Sequence, residues 1–147
     1  MEKLINKINL IGAAAVTLLS ALFGGFWYLF LAFAALNVLD YVTGIIKSKV
    51  AHTENSVKGF NGIVKKLGYW VVVAIAFFLA VGFKDIGRAI GIDLGFTVFI
   101  GWFTLCTLII NEIRSVLENL VEIGVDVPPW LVKGLEAAND KLKDIGE

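Results

Sequence analysis

The feature that most constrains this chain is an uncharged run over residues 8–39. As one helix, about 32 residues would reach about 48 Å, whereas the hydrocarbon core of a bilayer is about 30 Å thick and takes about 20 residues. The run is therefore expected either as two short spans or as one over-long, tilted span. Gly24-Gly25, at its middle, is where a chain would turn. Two further uncharged runs, 67–83 and 94–110, are each about 17 residues or about 25 Å of helix, the short end of spanning length. Hydrophobic residues make up 58% of the chain, against about 45–50% in globular domains. Too little polar sequence remains to cover three or four such runs in water. The expectation is an all-α membrane protein with four short transmembrane helices, or three, followed by C-terminal amphipathic helices.

The charges are sorted along the chain. Lys3 and Lys7 precede the first apolar segment (8–23), and Lys47, Lys49, Lys58, Lys65 and Lys66 lie between the second (26–46) and the third (67–83). Lysine-rich loops stay in the cytoplasm. Both termini are therefore expected on the cytoplasmic side, with Gly24-Gly25 and the connection holding Lys84, Asp85, Arg88 and Asp93 outside. A continuous 8–39 helix would instead put Lys3 and Lys7 outside. The start resembles a signal peptide, but no convincing A-x-A site follows and an uncleaved first span is expected.

Residues 1–112 are expected to form the transmembrane region and 113–147 a cytoplasmic amphipathic tail. Ile113, Val116, Leu117, Leu120 and Val121 recur at helical spacing. Gly124 should end that helix, Pro128-Pro129 restart the chain, and Leu131, Leu135, Ala138, Leu142 and Ile145 make a second stripe. The tail's acidic polar face favours packing against sister subunits over binding anionic lipid.

Asp40 is the sharpest single residue, a carboxylate inside an apolar segment where it costs about 2.5–3.5 kcal/mol near a helix centre. It reads either as a polar contact in a bundle interior or as a residue reaching the interface, with Lys47 about two turns away as its nearest counter-charge on the helix. Ala13, Thr17, Ala21 and Gly25 recur every four residues as a small ridge of the kind on which membrane helices pack. Gly87, Gly91 and Gly95 repeat the spacing, and Thr43 and Gly44 extend a small face beside Asp40. Asn111, Glu112, Ser115, Glu118 and Asn119 cluster at the end of the fourth segment and read as a solvated helix face, since Arg114 and Glu122 flank Glu118 at helical spacing.

Single residues exclude much chemistry. Cys106 is the only cysteine and His52 the only histidine, so an intramolecular disulfide and a His-based metal or catalytic cluster are ruled out within one chain. Nucleophile-elbow, phosphate-loop, dinucleotide and zinc-protease motifs are lacking. No enzyme activity, no cofactor and no nucleic-acid partner is expected.

The stretch LDYVTGIIKS at 39–48, then SVKGFNGIVKK at 56–66, then Asn111-Glu112 and SVLEN at 115–119, closing with Gly124 and Pro128 as a Gly-x-x-x-Pro element, resembles one family. It is the phage-lysis and toxin-secretion holin family of Gram-positive bacteria and their phages. The resemblance covers about residues 30–135, and the tail after Lys133 carries no signature. It implies a non-enzymatic protein that associates with itself in the membrane lipid and opens a hole for an endolysin or a toxin, without binding that cargo stably. On this reading Asp40, Thr43, Gly44, Asn111, Glu112, Ser115, Glu118 and Asn119 are candidates for the oligomer or pore face, and Ala13, Thr17, Ala21 and Gly25 for helix packing. A small-ion channel or transporter-like protein and a membrane scaffold are the other classes that the composition allows.

Overall fold

A computed structural model describes residues 2–146, save the side chains of Leu4, Leu18, Leu19, Ala21, Leu22, Phe23, Asn139 and 143–146. Among the described residues the regular structure is helical: α1 (Glu2–Phe23), α2 (Tyr28–Val50), α3 (Ser56–Ile90), α4 (Val98–Ile123) and α5 (Pro129–Gly146), with 3-10 turns at Gly24–Phe26 and Gly95–Thr97. Among the described residues three segments are long and apolar enough to cross a membrane: Gly24–Val50, Ser56–Ile90 and Gly95–Ile123. The chain is thus an all-α membrane protein. It divides into two units, Met1–Ala32 and Phe33–Glu147.

In the first unit, the uncharged run does not continue as one helix. α1 stops at Phe23, and Gly24 takes φ +71°, a left-handed backbone open to glycine because it lacks a Cβ. The break falls where the glycine pair predicts it.

In the second unit, the helices outrun the apolar segments. The lysine-rich stretch 47–66, expected as a loop, is mostly helix: α2 carries Lys47 and Lys49 in its last turn, and α3 carries Lys58, Lys65 and Lys66. Charge marks where a helix leaves hydrocarbon, not where it ends, and lysine is a good helix former. The real stop signals are His52, with φ +51°, and Asn55, whose side chain accepts from the backbone N–H groups of Val57 and Lys58 as the α3 N-cap.

The connection expected at 84–93 is likewise mostly helix, and the turn lies between α3 and the 3-10 segment. Gly91 ends α3 with φ +75°, and the N–H groups of Gly91 and Ile92 both donate to the Gly87 carbonyl. Gly87 lies under this turn, Gly91 is its left-handed cap and Gly95 begins the 3-10 segment, so these three glycines do not form the small helical ridge suggested by their spacing. The Thr97 hydroxyl sits 3.1 Å from the Ala80 carbonyl of α3 and 2.7 Å from that of Leu94, fastening the hairpin.

The core is small, as expected where lipid covers the rest. Phe33, Val73, Ala76, Ala80 and Leu105 are buried, whereas Phe78, Val71 and Ile75 stand exposed on α3. Phe33 of α2 packs on Trp70 of α3 with ring centroids 5.0 Å apart, and Phe77 of α3 meets Trp102 of α4 edge-on, also at 5.0 Å. Trp102 therefore packs between helices, as its mid-segment position suggests. Gly101 lets α4 approach the Phe77 ring.

Gly124 closes α4 in the left-handed conformation, φ +94°, and Pro129 opens α5. The apolar stripe of α5 meets α4 of its own chain. Leu117 and Val121 face Val132 and Leu135 across a cavity of about 500 Å³.

Candidate functional site

Asp40, on α2, is ten residues from the end of its helix, and its partner is on a different helix from the one that sequence spacing suggests. Lys66 of α3 sets its ammonium 2.8 Å from Asp40 Oδ2. The same ammonium donates to Glu112 Oε2 of α4. Three helices thus meet on one lysine. The side chains are 16%, 14% and 4% exposed for Asp40, Lys66 and Glu112, so this is an interior ion triad with more carboxylate than ammonium. Lys47 does not serve Asp40: it pairs with Glu122 of α4 at 2.8 Å, on the surface.

A second clasp lies beside the first. One N–H of the Asn119 side-chain amide donates to Asp40 Oδ1 at 2.9 Å and the other to Thr43 Oγ1 at 3.2 Å. Thr43 donates its own proton to the Leu39 carbonyl at 2.8 Å, which leaves its oxygen lone pairs free to accept. Both oxygens of Asp40 are therefore engaged, one by each clasp. Glu112 and Asn119 are seven residues apart, two helical turns, and so share the face of α4 that looks at α2 and α3. Gly44, one residue on from Thr43, leaves 3.7 Å between an added Cβ and Asn119 Nδ2.

The structure divides the sequence candidates. Asp40, Thr43, Gly44, Glu112 and Asn119 come together, and Ser115 lines the cavity beside them. Asn111 is half-buried. Glu118 points away, exposed and paired with Arg114 at 3.2 Å. The cluster on α4 is consequently not one solvated face: Glu112 and Asn119 are interior, and only the Arg114–Glu118 side is wetted. In the other unit, Ala13 and Thr17 are exposed on α1, where Thr17 donates to the Ala13 carbonyl at 2.8 Å. Gly25 lies in the 3-10 turn, beyond the helix, and the side chain of Ala21 is outside the described residues.

Lys66 is the residue that sequence reasoning missed. The signal was present: each uncharged stretch ends against a member of the triad, 39 against Asp40, 67 against Lys66, and 110–111 against Glu112. Three helices packed side by side with their hydrocarbon edges level must bring those charges to one height.

The members of this site are committed to one another across three helices. What it does is join helices. A buried ion pair is weak evidence for stability, since desolvation offsets the Coulomb gain, but losing one member strands the others. The fold and the site together define a helical membrane protein in which Asp40, Lys66, Glu112 and Asn119 are spent on interhelical contacts.

The chain belongs to the bacteriophage holin family, whose family model matches residues 17–140. It is 31% identical over 135 residues to an uncharacterised protein of Halalkalibacterium halodurans, covering 92% of this chain and 93% of that one. A protein of Bacillus phage phi105 described as a probable holin is 31% identical over 123 residues, covering 82% of each chain. An uncharacterised 14.9 kDa protein from the nagH 3′ region of Clostridium perfringens is 31% identical over 141 residues, covering 96% of this chain and 99% of that one. No solved structure matches.

Proposed function

We propose that this chain is a holin that oligomerises in the bacterial cytoplasmic membrane and opens pores through which an endolysin leaves to degrade the cell wall. A secreted toxin is the other cargo such a hole would pass, with the same demand on the membrane. The observation that carries the proposal is membership of the holin family over most of the chain, together with the similarity to the probable holin of phage phi105. Three helices with so small a core cannot enclose a hole that passes a folded protein, so many copies must wall it. The abundant exposed apolar surface of α2, α3 and α4 is available for lipid before assembly and for neighbours after it.

The triad and the lysines support one orientation. Because Asp40, Lys66 and Glu112 meet, the α2–α3 connection and the α4–α5 end leave the membrane on one side, and the Gly91 turn on the other. Lys47, Lys49, Lys58 and Lys65 crowd the first side, which is therefore the cytoplasmic one. The C-terminus is cytoplasmic with it, and Lys3 and Lys7 hold the N-terminus there by the same rule, with α1 as a further crossing beside the three long apolar segments. Residues 113–147 then form a cytoplasmic tail.

Complementation tests the reading. Expressed in place of the holin of a Gram-positive phage, the chain should restore lysis after a lag, and Asp40→Asn should shift that lag. Membrane accumulation of the chain without lysis would refute the proposal.

A further inference from the structure

We propose that Lys66 is a counter-ion latch that holds the closed form, and that a crevice of mixed polar and apolar lining beside it is the route by which water reaches the latch when the protein opens. The inference rests on the holin reading and concerns the regulation of that same protein. The crevice, about 750 Å³, runs from the α2–α3 connection to Asp40, Lys66 and Asn119. Its walls include the polar side chains of Ser48, Thr53 and Ser115. At Gly59 and Gly62, which also line it, an added Cβ would meet nothing within 4 Å, so the crevice is roomy along α3.

The chemistry gives this geometry a direction. While Lys66 bridges α2 and α4, its charge is shared by two carboxylates that hydrocarbon would not tolerate alone. Separating the helices exposes all three groups, and only water can then satisfy them. The crevice already brings solvent-sized space to the latch from the lysine-rich side. One turn deeper on the same helix, Asn37 is buried; its amide N–H donates to the Phe33 carbonyl at 2.7 Å, while its Oδ1 has no partner among the described residues. That acceptor is one that water passing the latch would satisfy. Charge at the latch thus plays two parts: the bridge resists opening, and the stranded ions drive hydration once it begins.

Two kinds of measurement test the latch. In cells, Lys66→Met leaves Asp40 and Glu112 facing each other and should shift depolarisation earlier. Lys66→Arg keeps a fork for two carboxylates and should retain the wild-type lag. The combined Asp40→Asn, Glu112→Gln, Lys66→Met variant has nothing to hydrate and should open late or not at all, while accumulating normally in the membrane. In vesicles, full-length Gly62→Cys in a Cys106→Ala background should react with a charged, impermeant maleimide from the lysine-rich side. Phe78→Cys, on the lipid-facing side of α3, should not. Should Lys66→Met fail to accumulate, the combined variant decides: wild-type timing there overturns the latch. An unlabelled Gly62→Cys overturns the crevice. A wild-type chain that never depolarises cells would overturn the holin reading, whereas the vesicle labelling would still judge the crevice on its own.

Discussion

The α3–α4 hairpin offers a graded test of packing, because three of its glycines differ in what an added methyl would strike. At Gly87 a Cβ would lie 2.5 Å from the Ile92 carbonyl oxygen and 2.9 Å from Leu94 Cβ. The first is backbone and the second is fixed to it, so the Gly91 turn itself would have to shift. Overpacking of this sort costs about 1–3 kcal/mol or more, and Gly87→Ala should lie at the upper end. At Gly101 the Cβ would lie 2.7 Å from Phe77 Cδ1. That ring can swing, at the loss of its edge-on contact with Trp102, worth about 0.5–1.5 kcal/mol. The methyl returns about 0.8–1 kcal/mol of helix propensity, so Gly101→Ala should cost about 1 kcal/mol or less. At Gly82 nothing lies within 4 Å, and Ala there should be neutral or stabilise by up to about 1 kcal/mol. Thermal unfolding of the purified full-length chain in detergent, followed by circular dichroism, should rank melting temperatures Gly87→Ala, then Gly101→Ala, then wild type, with Gly82→Ala at or above it. A Gly87→Ala protein melting with the wild type, or Gly82→Ala falling below Gly101→Ala, would refute the packing argument.

Four further substitutions follow from the same structure. In the detergent melt, Lys66→Met should cost about 3–5 kcal/mol by stranding two interior carboxylates, whereas Lys47→Met, which breaks only the surface pair with Glu122, should cost about 0–1 kcal/mol; equal losses would contradict the burial of the triad. Asn37→Leu removes a buried acceptor without a partner and should stabilise the fold by about 1 kcal/mol, visible as a raised melting temperature. Asn55→Ala uncaps α3 and should cost about 1 kcal/mol, with faster amide exchange confined to the first turn of that helix.

Hydropathy made the membrane class legible, because apolar runs of about 17 residues have few other uses. The glycine pair located the break at Gly24, where the backbone conformation is one glycine adopts readily. Helix ends were less legible. Asp40, Lys66, Lys84 and Glu112 bound the uncharged runs yet lie within helices that run on past them. The stops belong to Gly91 and the Asn55 cap, whose signal is local backbone geometry rather than charge, whereas the stop at Gly124 is read from the sequence and found in the structure. Asp40 and Glu112 stood out as acids against apolar sequence, but their partner could not be read along either helix. Periodicity reports which residues share a face of one helix, and the Lys66 contacts cross between three. The surface pairing of Arg114 with Glu118, by contrast, is a contact within one turn and was visible in the spacing.

The most direct test of the central claim is to express the chain in bacteria with a cytosolic murein hydrolase and record membrane potential and hydrolase release together. The holin account predicts a silent lag, then abrupt depolarisation with release of the folded enzyme. Depolarisation with the hydrolase retained would contradict it in favour of a small-ion channel. A steady potential despite abundant protein in the membrane would leave the chain a scaffold.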